Sequence, residues 1–401
     1  MRKSISLIII ISLCFISLMS VSSCNQDEID KSKFLKAVGS ELKLDSGLGE
    51  AITLRGVNIG GWLVQEPWMS PTIFTDQLSM RNTLIDRFGE ETAYQLFDTY
   101  EDNFFTEADL DNIKAIGMNA IRLPFTYLNL LDTDMNMRSD AFKRLDWCIN
   151  ECAEREIYVI LDLHGAVGSQ NGKHHSGDTR GANLFTDNYN MDKTEEIWIA
   201  VANRYKDEQW VAGYDLLNEP EGGQDVTNEL QWNYYDRLYK SIRAVDSEHI
   251  IIMEAVWEPY NLPKPLDYNF INVMYEYHFY CWNNSNDFNT EKAFFDTKTI
   301  YSNAMNFGVP ELIGEFTAFD NSMSWEYMLN MYNSNNWSWT MWTYKTEAQG
   351  SWGLYNGNSE IADINNDSRE EIARKWGALN TTNGYTPNQW LIDIVSEYAI
   401  A

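Results

Sequence analysis

The chain has 401 residues, of which 44% are hydrophobic and 22% are charged. This composition is typical of a globular protein and excludes disorder as the main state. The 30 basic and 59 acidic residues give a formal charge of −29, which makes nucleic acid and other polyanions poor partners. The 5 cysteines are too few and too irregularly spaced for a disulfide framework or a zinc site. We therefore expect no metal and no other cofactor.

The amino terminus has the pattern of an export signal. A short basic region precedes an apolar stretch over residues 4–19, and small residues follow it up to Cys24. This pattern predicts a secretory signal over residues 1–23. The small residues before Cys24 resemble a bacterial lipobox, in which that cysteine is lipidated; a plain signal peptide cut near Ser23 is the alternative. A membrane-spanning helix is disfavoured because a span needs ~20 apolar residues. We expect an exported protein of the cell envelope, held by lipid to the outer membrane.

The rest of the chain divides into a short leading segment and one large repeating unit. Residues 24–50 are polar and mixed in charge, and we interpret them as a tether followed by a small edge element. Over residues 51–401, short apolar runs alternate with amphipathic segments, a pattern typical of buried strands that alternate with helices. The predicted strands are 52–59, 120–123, 157–163, 212–217, 250–255, 271–277, 311–316 and 339–344.

Two of the predicted helices have clear sequence signals. One begins at a capping box formed by Thr106 and Asp109 and runs to Gly117. The other covers residues 142–153 and carries an apolar stripe at helical spacing. Cys148 and Cys152 belong to that stripe, so they are predicted to be neighbours in the core.

This alternation of strands and helices predicts an α/β fold, namely a (β/α)₈ TIM barrel with enlarged loops. A doubly wound sheet is the rival architecture, and it would place a glycine-rich phosphate loop after its first strand. The first predicted strand leads into the letters GVNIGG at residues 56–61, which lack the GxGxxG spacing. The barrel is therefore favoured.

Polar and aromatic side chains collect where the predicted strands end, which is where barrel enzymes place their chemistry. They are Asn58, Glu66, Arg122, His164, Asn218, Glu219, Glu254, His278, Tyr280, Glu315 and Trp342. In one barrel, Glu219 and Glu315 would face each other across its mouth. Paired carboxylates without a metal or nucleotide motif indicate glycoside hydrolysis. The aromatic content of 14% supports this prediction, because sugar rings stack on aromatic planes.

Other ionisable residues in these regions have structural interpretations. Glu254 is a rival carboxylate that we interpret as a subsite or structural residue, and His249 is expected to be structural at the opposite end of the barrel. His174 and His175 could bind a metal in isolation, but adjacent histidines usually point apart. The remaining acidic residues should point into the barrel and be hydrogen-bonded there. These residues are Asp162, Asp215 and Glu276.

Several motifs resemble those of a known family. The sequence LNEP at residues 217–220, with IGE at residues 313–315, resembles glycoside hydrolase family 5, the retaining enzymes with (β/α)₈ barrels. More narrowly, RGVNIGGWLVQEPWMSP at residues 55–71 and LHGAVGSQNG at residues 163–172 are similar to the exo-β-1,3-glucanase branch of that family. The resemblance extends from about Arg55 to Trp352.

The resemblance implies a role for each matching residue. It makes Glu219 the acid/base and Glu315 the nucleophile of a retaining β-glycoside hydrolase acting on β-glucan or gluco-oligosaccharides, with β-1,3 linkages favoured. The other matching positions would bind the substrate or orient the carboxylates. They are Arg122, which would keep Glu315 ionised, Tyr280, which would donate to it, Asn218 at the sugar 2-hydroxyl, His164 and His278 around the sugar and the acid/base, Trp342 under the ring, and Glu66 and Trp68, which would help to close the pocket. The expected partner is an oligosaccharide or polysaccharide, and the expected oligomeric state is a monomer.

One segment departs from the family pattern. After residue 172 the exo-glucanases continue with an aromatic and acidic stretch, whereas this chain has Lys173, His174 and His175. The departure leaves the linkage and the sugar beyond the cleaved bond open. An endo-β-1,4-glucanase or a mannanase on the same frame remains an alternative, as does a glycan-binding surface lipoprotein that no longer turns over.

Overall fold

A computed structural model describes residues 31–224, 226–283 and 286–400. The predicted signal over residues 1–23 and the predicted lipidation site Cys24 lie outside the described residues. Within the described residues, no helix combines the length and the apolar character that crossing a membrane would require.

The centre of the molecule is a closed barrel of parallel strands. Its order is β4-β6-β7-β8-β9-β10-β11-β12, and β12 pairs with β4 to close it. In chain order the strands are β1 (Lys36–Val38), β2 (Glu41–Lys43), β3 (Ala51–Ile52), β4 (Arg55–Asn58), β5 (Thr72–Ile73), β6 (Ala120–Thr126), β7 (Tyr158–Gly165), β8 (Val211–Asp215), β9 (Ile250–Glu254), β10 (Val273–Tyr280), β11 (Glu311–Thr317), β12 (Ser338–Met341), β13 (Lys345–Thr346), β14 (Tyr355–Gly357), β15 (Ala362–Asp363) and β16 (Tyr385–Pro387).

Helices separate the barrel strands and pack around them. They are α1 (Gln77–Phe88), α2 (Glu90–Phe104), α3 (Glu107–Ile116), α4 (Tyr127–Leu130), α5 (Lys143–Glu154), α6 (Asn188–Tyr205), α7 (Asn228–Arg243), α8 (Pro265–Tyr268), α9 (Phe288–Met305), α10 (Ser322–Ser334), α11 (Arg369–Trp376), α12 (Thr381–Gly384) and α13 (Gln389–Ala399). The architecture confirms the predicted (β/α)₈ barrel with enlarged loops.

The two helices predicted from local signals are both present. α3 begins after Thr106, which forms the predicted capping box with Asp109, and it ends at Gly117, whose φ of 96° is the left-handed conformation that favours glycine. α5 buries its apolar stripe, including Cys148 and Cys152, against the barrel.

The first predicted strand is wrong in one respect, because residues 52–59 form two strands instead of one. β3 pairs antiparallel with β2 in a small three-stranded sheet, and only β4 enters the barrel. Leu54, between them, is buried with Leu35 and Leu42 in a separate apolar cluster. That cluster includes the amino-terminal residues of several barrel strands, so the small sheet covers the end of the barrel opposite the strand carboxyl ends.

The enlarged loops pair with one another on the other side. β5, in the segment after β4, pairs with β15 near the carboxyl terminus, and β13, β14 and β16 form a further small sheet. These pairings connect the segment that contains Glu66 and Trp68 to the carboxyl-terminal part of the chain. The wall around the strand carboxyl ends is therefore built from distant parts of the sequence.

Candidate active site

A pocket of about 480 Å³ opens at the carboxyl ends of the barrel strands. It is lined by Glu66, Trp68, His164, Lys173, His174, His175, Glu219, Trp257, Tyr280, Trp282, Glu315, Trp342 and Trp352. The structure thus brings most of the predicted site residues to one cavity. Three of them, Arg122, Asn218 and His278, are fully buried around it and support the lining residues from behind.

The two predicted catalytic carboxylates face each other in this pocket. A carboxylate oxygen of Glu219 lies within 4.8 Å of one of Glu315. Both residues are only 5% exposed, so their charges interact in surroundings from which most water is excluded. One small molecule between them could contact both groups at once.

Glu219 has an unusual backbone conformation that aims its side chain. Its φ is 41°, in the left-handed region that non-glycine residues rarely adopt. Its backbone N–H donates to Oε2 of Glu254 at 2.6 Å, which holds this conformation. Glu254, the rival carboxylate in the sequence, is buried and does not line the pocket. This geometry supports the interpretation of Glu254 as a structural residue.

Two histidines flank the Glu219 carboxylate, one at each oxygen. Nδ1 of His278 lies 3.0 Å from Oε1, and Nε2 of His175 lies 3.4 Å from Oε2. Burial lowers the pKa of His278 well below its usual value, and burial also lowers the pKa of His175. Both imidazoles are therefore neutral near pH 7.

Glu315 receives two hydrogen bonds that favour its ionised form. Arg122 donates to Oε1 at 2.9 Å, and the Tyr280 hydroxyl donates to Oε2 at 2.9 Å. Burial raises the pKa of Glu315 well above its usual value, whereas the Arg122 charge and the Tyr280 hydrogen bond act in the opposite direction. These contacts are the ones that the family resemblance implied for a nucleophile.

Arg122 is the hub of the charge network beneath the pocket. Besides Glu315 it contacts three buried carboxylates inside the barrel, at 2.7–3.1 Å, namely Asp162, Asp215 and Glu276. Burial would lower the pKa of Arg122, but the charges of these carboxylates, Asp162 above all, raise it well above its usual value. The three carboxylates point into the barrel, as was expected for them.

More carboxylates converge here than a single arginine can neutralise, so some of them hold a proton. Burial raises the pKa of Asp162 to about 7 and that of Asp215 to about 6. Burial also raises the pKa of Glu276 well above its usual range. Glu276 is closely packed: a Cβ added at Gly314, next to the nucleophile, would lie 1.5 Å from Oε1 of Glu276. Gly314 therefore provides the space for this acid.

His164 and Trp342 form the floor of the pocket. The two rings stack with centroids 5.4 Å apart and planes 18° from parallel. Nδ1 of His164 lies 2.6 Å from Oδ2 of Asp162, and burial lowers the pKa of His164 to about 3. A neutral imidazole and a buried indole provide a flat surface with polar atoms only at its edge.

Asn218, which accepts from Arg122 as Glu315 does, retains an unused donor. Arg122 donates to Oδ1 of Asn218 at 2.9 Å, which fixes the orientation of the amide. Its Nδ2 is buried and has no hydrogen-bond partner in the described part of the chain. A buried donor without a partner is costly unless a ligand completes it. This atom is therefore suited to a substrate hydroxyl.

Glu66 and Trp68 form one side of the pocket mouth. The Trp68 indole N–H donates to Oε2 of Glu66 at 2.8 Å, and the Trp68 ring packs edge-on against Trp352 at 5.0 Å. Trp68 remains 38% exposed, whereas Glu66 is only 4% exposed. Burial alone would raise the pKa of Glu66, but its hydrogen bond with His174 lowers this pKa below its usual value.

Several lining residues were not predicted from the sequence. Trp257 and Trp282 follow β9 and β10 by a few residues, and both face the pocket. Their position just after a strand end was the available signal. Asn171 belongs to the LHGAVGSQNG motif, but the sequence does not predict a role for its side chain. In the structure its Nδ2 donates to the backbone oxygen of Glu219 at 3.1 Å and contacts His175 at 2.7 Å.

His249 has the structural position that was expected. It is buried near the amino end of β9, with Nδ1 2.6 Å from Asp246 and Nε2 2.9 Å from the backbone oxygen of Glu208. It does not line the pocket.

The fold and the pocket together define a class of protein, the (β/α)₈ barrels with two facing carboxylates at the carboxyl ends of the strands. Residues 85–348 match the family model described as "Cellulase (glycosyl hydrolase family 5)". This match covers more than half of the chain, so the chain belongs to glycosyl hydrolase family 5.

Several characterised proteins are similar to this chain in sequence. The chain is similar to a β-xylosidase of Phanerodontia chrysosporium, with 36% identity over 226 residues that make up 55% of this chain and 46% of the relative. It is also similar to glucan 1,3-beta-glucosidase 1 of Schizosaccharomyces pombe, with 33% identity over 57% of this chain and 59% of the relative. The chain spans about half the length of the curated relatives it matches. The resemblance to the exo-β-1,3-glucanase branch is confirmed.

Solved structures share the fold at low sequence identity. The rutinosidase from Aspergillus niger has a TM-score of 0.60 at 14% identity and covers 87% of this chain and 100% of its own. The endoglucanase Cel5A from Thermotoga maritima has a TM-score of 0.53 at 17% identity and covers 85% of this chain and 96% of its own. These similarities support the barrel architecture.

Proposed function

We propose that the protein is a retaining β-glycoside hydrolase that acts on β-glucan or gluco-oligosaccharides and favours β-1,3 linkages. The observation that carries the proposal is the separation of at most 4.8 Å between carboxylate oxygens of Glu219 and Glu315. Retaining glycosidases place their two carboxyl groups about 5–5.5 Å apart, whereas inverting enzymes leave about 6.5–9.5 Å for a water molecule. The close spacing supports direct attack by one carboxylate.

The proposed reaction proceeds in two displacements. Protonated Glu219 donates its proton to the glycosidic oxygen while Glu315 attacks the anomeric carbon, so the aglycone leaves and a covalent glycosyl–Glu315 ester forms. Glu219, now ionised, takes a proton from a water molecule that attacks the same carbon and releases Glu315. Two inversions at one carbon leave the configuration unchanged.

The residues around the two carboxylates are suited to the sugar and to its transition state. The face of the Trp342 ring can support the apolar face of the sugar that is attacked. The unused Nδ2 of Asn218 can donate to the 2-hydroxyl, a contact that strengthens as positive charge develops on the ring. Arg122 and Tyr280 stabilise the carboxylate of Glu315 before attack and when it leaves.

Substitution of Glu315 tests its assignment as the nucleophile. We expect E315Q to lose turnover of an aryl β-glucoside by roughly 10⁴-fold or more, because Glu315 is the group that forms the ester. E311Q is a matched control: Glu311 lies on the same strand, β11, at its other end, where it contacts Tyr277 and Ser302.

Proton NMR of the first product should show the β anomer. An α anomer would refute retention, and tight binding of laminari-oligosaccharides without turnover by the natural chain would favour a glycan-binding protein.

The preferred linkage and the mode of attack need a separate measurement. The glucan 1,3-β-glucosidase relatives support β-1,3 cleavage, and the side wall formed by Glu66 and Trp68 supports release of single sugars from the non-reducing end. We expect glucose as the first product from laminaritriose, with slower cleavage of cellotriose and mannotriose. Internal cleavage of long β-1,4-glucan or mannan as the faster reaction would support an endo-β-1,4-glucanase or a mannanase instead.

We also propose that the protein is exported and anchored by lipid at Cys24. The proposal rests on the sequence of the first 24 residues, which combine a basic start, an apolar stretch and small residues before the cysteine. The C24S variant should appear in the soluble fraction, whereas the natural chain should sediment with membranes. Equal membrane association of both proteins would contradict the anchor.

A further inference from the structure

Three side chains of types that bind metal ions meet at the mouth of the pocket. Glu66, His174 and His175 each place a ligand atom within 4.8 Å of the other two. From this cluster we infer that the protein has a binding site for a divalent transition-metal ion, Zn²⁺ by preference, held by Glu66, His174 and His175.

The local backbone brings the two histidines together. They lie in a 3₁₀ turn over His174–Ser176, and their rings are 5.8 Å apart at 77°. The expectation that adjacent histidines point apart therefore fails here, because the tight turn directs both rings towards the pocket. Nδ1 of His174 lies 3.0 Å from Oε2 of Glu66, a residue more than 100 positions earlier in the chain.

The donor set matches the chemistry of zinc. Two imidazoles and one glutamate form a ligand set that zinc enzymes use, with a fourth position open. Zn–N and Zn–O bonds of about 2.0–2.2 Å place neighbouring ligand atoms about 3.3 Å apart in a tetrahedron. The Glu66–His174 pair is already near this spacing, and the His174 side chain, which is 45% exposed, is free to adjust.

A neighbouring side chain orients one of the ligands. The Trp68 indole donates to Oε2 of Glu66 at 2.8 Å. Such outer contacts fix the orientation of metal ligands. Lys173, a formal cation that lines the same pocket, is paired with Glu221 at 2.7 Å and is therefore partly neutralised. A chain with a net charge of −29 also attracts cations to its surface.

Two other groups of possible ligands in the described chain are less suitable. They are Glu219 with His278 and Glu315, and Glu254 with Glu276 and His278. All members of both groups are buried, and Glu315 and Glu276 already contact Arg122. The cluster of Glu66, His174 and His175 is the one with a half-exposed member, so it can exchange an ion with solvent.

An ion at this cluster would lie beside the acid/base. His175 is 3.4 Å from Glu219, and Glu66 and His174 line the same pocket. A bound ion would occupy space that a substrate needs. Zn²⁺ should therefore raise KM in the proposed reaction, and a chelator should reverse the effect. This consequence rests on the proposed function, whereas binding of the ion does not.

Calorimetric titration of the whole chain with Zn²⁺ tests the site without reference to activity. We expect one ion per chain and a binding constant that falls by roughly tenfold or more in H174A and in H175N, since each removes one of three ligands. K173Q is the matched control: it alters the adjacent side chain without removing a ligand, so binding should persist. Co²⁺ in place of Zn²⁺ should give visible absorption bands of a low-coordinate site, which H174A abolishes.

Clear results would overturn the inference. A chain that binds no Zn²⁺ at millimolar concentration, or that binds it equally well in H174A and H175N, does not have this site. Circular dichroism and thermal unfolding of each variant establish that it is folded, and a second pair, H174Q and E66Q, provides the same comparison if either first variant is unstable. If Zn²⁺ binds as expected but no glycoside is hydrolysed, the metal site stands and the proposed function fails.

Discussion

Two hydrogen bonds hold the Glu315 carboxylate, and each comes from a different side chain. The Tyr280 hydroxyl donates to one oxygen while Arg122 donates to the other. Burial opposes them by raising the pKa of Glu315. The pH at which the nucleophile becomes active therefore depends on a balance that one substitution can change.

Y280F should shift the acid limb of the pH profile upward. The Tyr280 hydrogen bond lowers the pKa of Glu315, so its removal raises that pKa, and a higher pH is then needed to ionise the nucleophile. A hydrogen bond to a charged group contributes about 1.5–3 kcal/mol, which corresponds to a shift of about one to two pH units. The measurement is kcat/KM against pH.

The control for Y280F is Y277F on the same strand. Tyr277 is buried and donates to Glu311, away from the pocket, so its removal should leave the acid limb in place. An acid limb that stays fixed in Y280F, or that moves to lower pH, would show that Tyr280 does not assist ionisation of Glu315.

Glu254 should act on catalysis through the backbone of Glu219. It accepts the Glu219 N–H at 2.6 Å and thereby holds a left-handed conformation, so it is a positioning residue. E254M removes the acceptor and should impair proton donation, with an expected loss in kcat of roughly 10²-fold on a substrate whose aglycone is a poor leaving group. E254Q retains an oxygen acceptor of the same reach and should lose less.

Leaving-group dependence distinguishes this effect from a general loss of structure. An activated aryl glucoside needs little help from an acid, so its rate of cleavage should fall much less in E254M than that of a laminari-oligosaccharide. Equal losses on both substrates would indicate that Glu254 supports the fold without aiming the acid/base.

At the level of the strands, close packing around one glycine sets the geometry of the nucleophile. Gly314 precedes Glu315 in β11, and a Cβ at this position would lie 1.5 Å from Oε1 of Glu276 on the neighbouring strand β10. We expect G314A to lower the free energy of unfolding by about 1–3 kcal/mol, the usual cost of overpacking a core. Urea unfolding measures the change.

A double-mutant cycle locates the cause of that loss. In an E276A background the clash is absent, so the additional cost of G314A should be much smaller than in the natural chain. G223A is a control at an open glycine, where the nearest atom to an added Cβ is 4.0 Å away. Additive costs in the cycle would contradict the assigned clash.

The strand pattern shows how far the sequence alone determines the fold. Each of the eight predicted runs overlaps a barrel strand, because a strand buried on both faces must be continuously apolar. The residues at which strands begin and end depend on tertiary pairing, which the sequence pattern does not show. Residues 52–59 divide because β3 pairs with β2, and β10 extends to Tyr280 because it pairs with β11 over that length. Two-residue strands such as β13 and β15 have no local signal at all.

In the site, too, some features follow from the local sequence and others depend on the tertiary structure. Glu219 and Glu315 could be predicted because Glu219 follows an apolar strand and Glu315 lies near the end of another, and both strands end at one face of a barrel. The contact of Glu254 with the Glu219 N–H could not, since it depends on a backbone angle at Glu219. The meeting of Glu66 with His174 depends on a loop and a 3₁₀ turn that no periodicity describes.

At the scale of the whole molecule, charge should select among glucans. The chain has a formal charge of −29, and Lys173, a formal cation at the pocket mouth, is paired with the carboxylate of Glu221 at 2.7 Å. An approaching anionic polymer is therefore repelled, and little local positive charge compensates. A neutral β-glucan meets no such barrier.

Carboxymethylated laminarin should consequently be a poorer substrate than neutral laminarin at low salt, with most of the difference in kcat/KM. Added salt should narrow the gap, because the screening length falls from about 30 Å at 0.01 M to about 3 Å at 1 M. Hydroxyethylated laminarin controls for the bulk of the substituent, since it is neutral and of similar size. If the carboxymethylated and hydroxyethylated polymers are cleaved equally fast at low salt, or if salt leaves their ratio unchanged, the acidic surface does not select the substrate. If the kcat/KM for the carboxymethylated polymer, divided by that for the hydroxyethylated polymer, rises towards one with salt, long-range repulsion causes the discrimination. Selection among neutral sugars would then depend on contacts in the pocket.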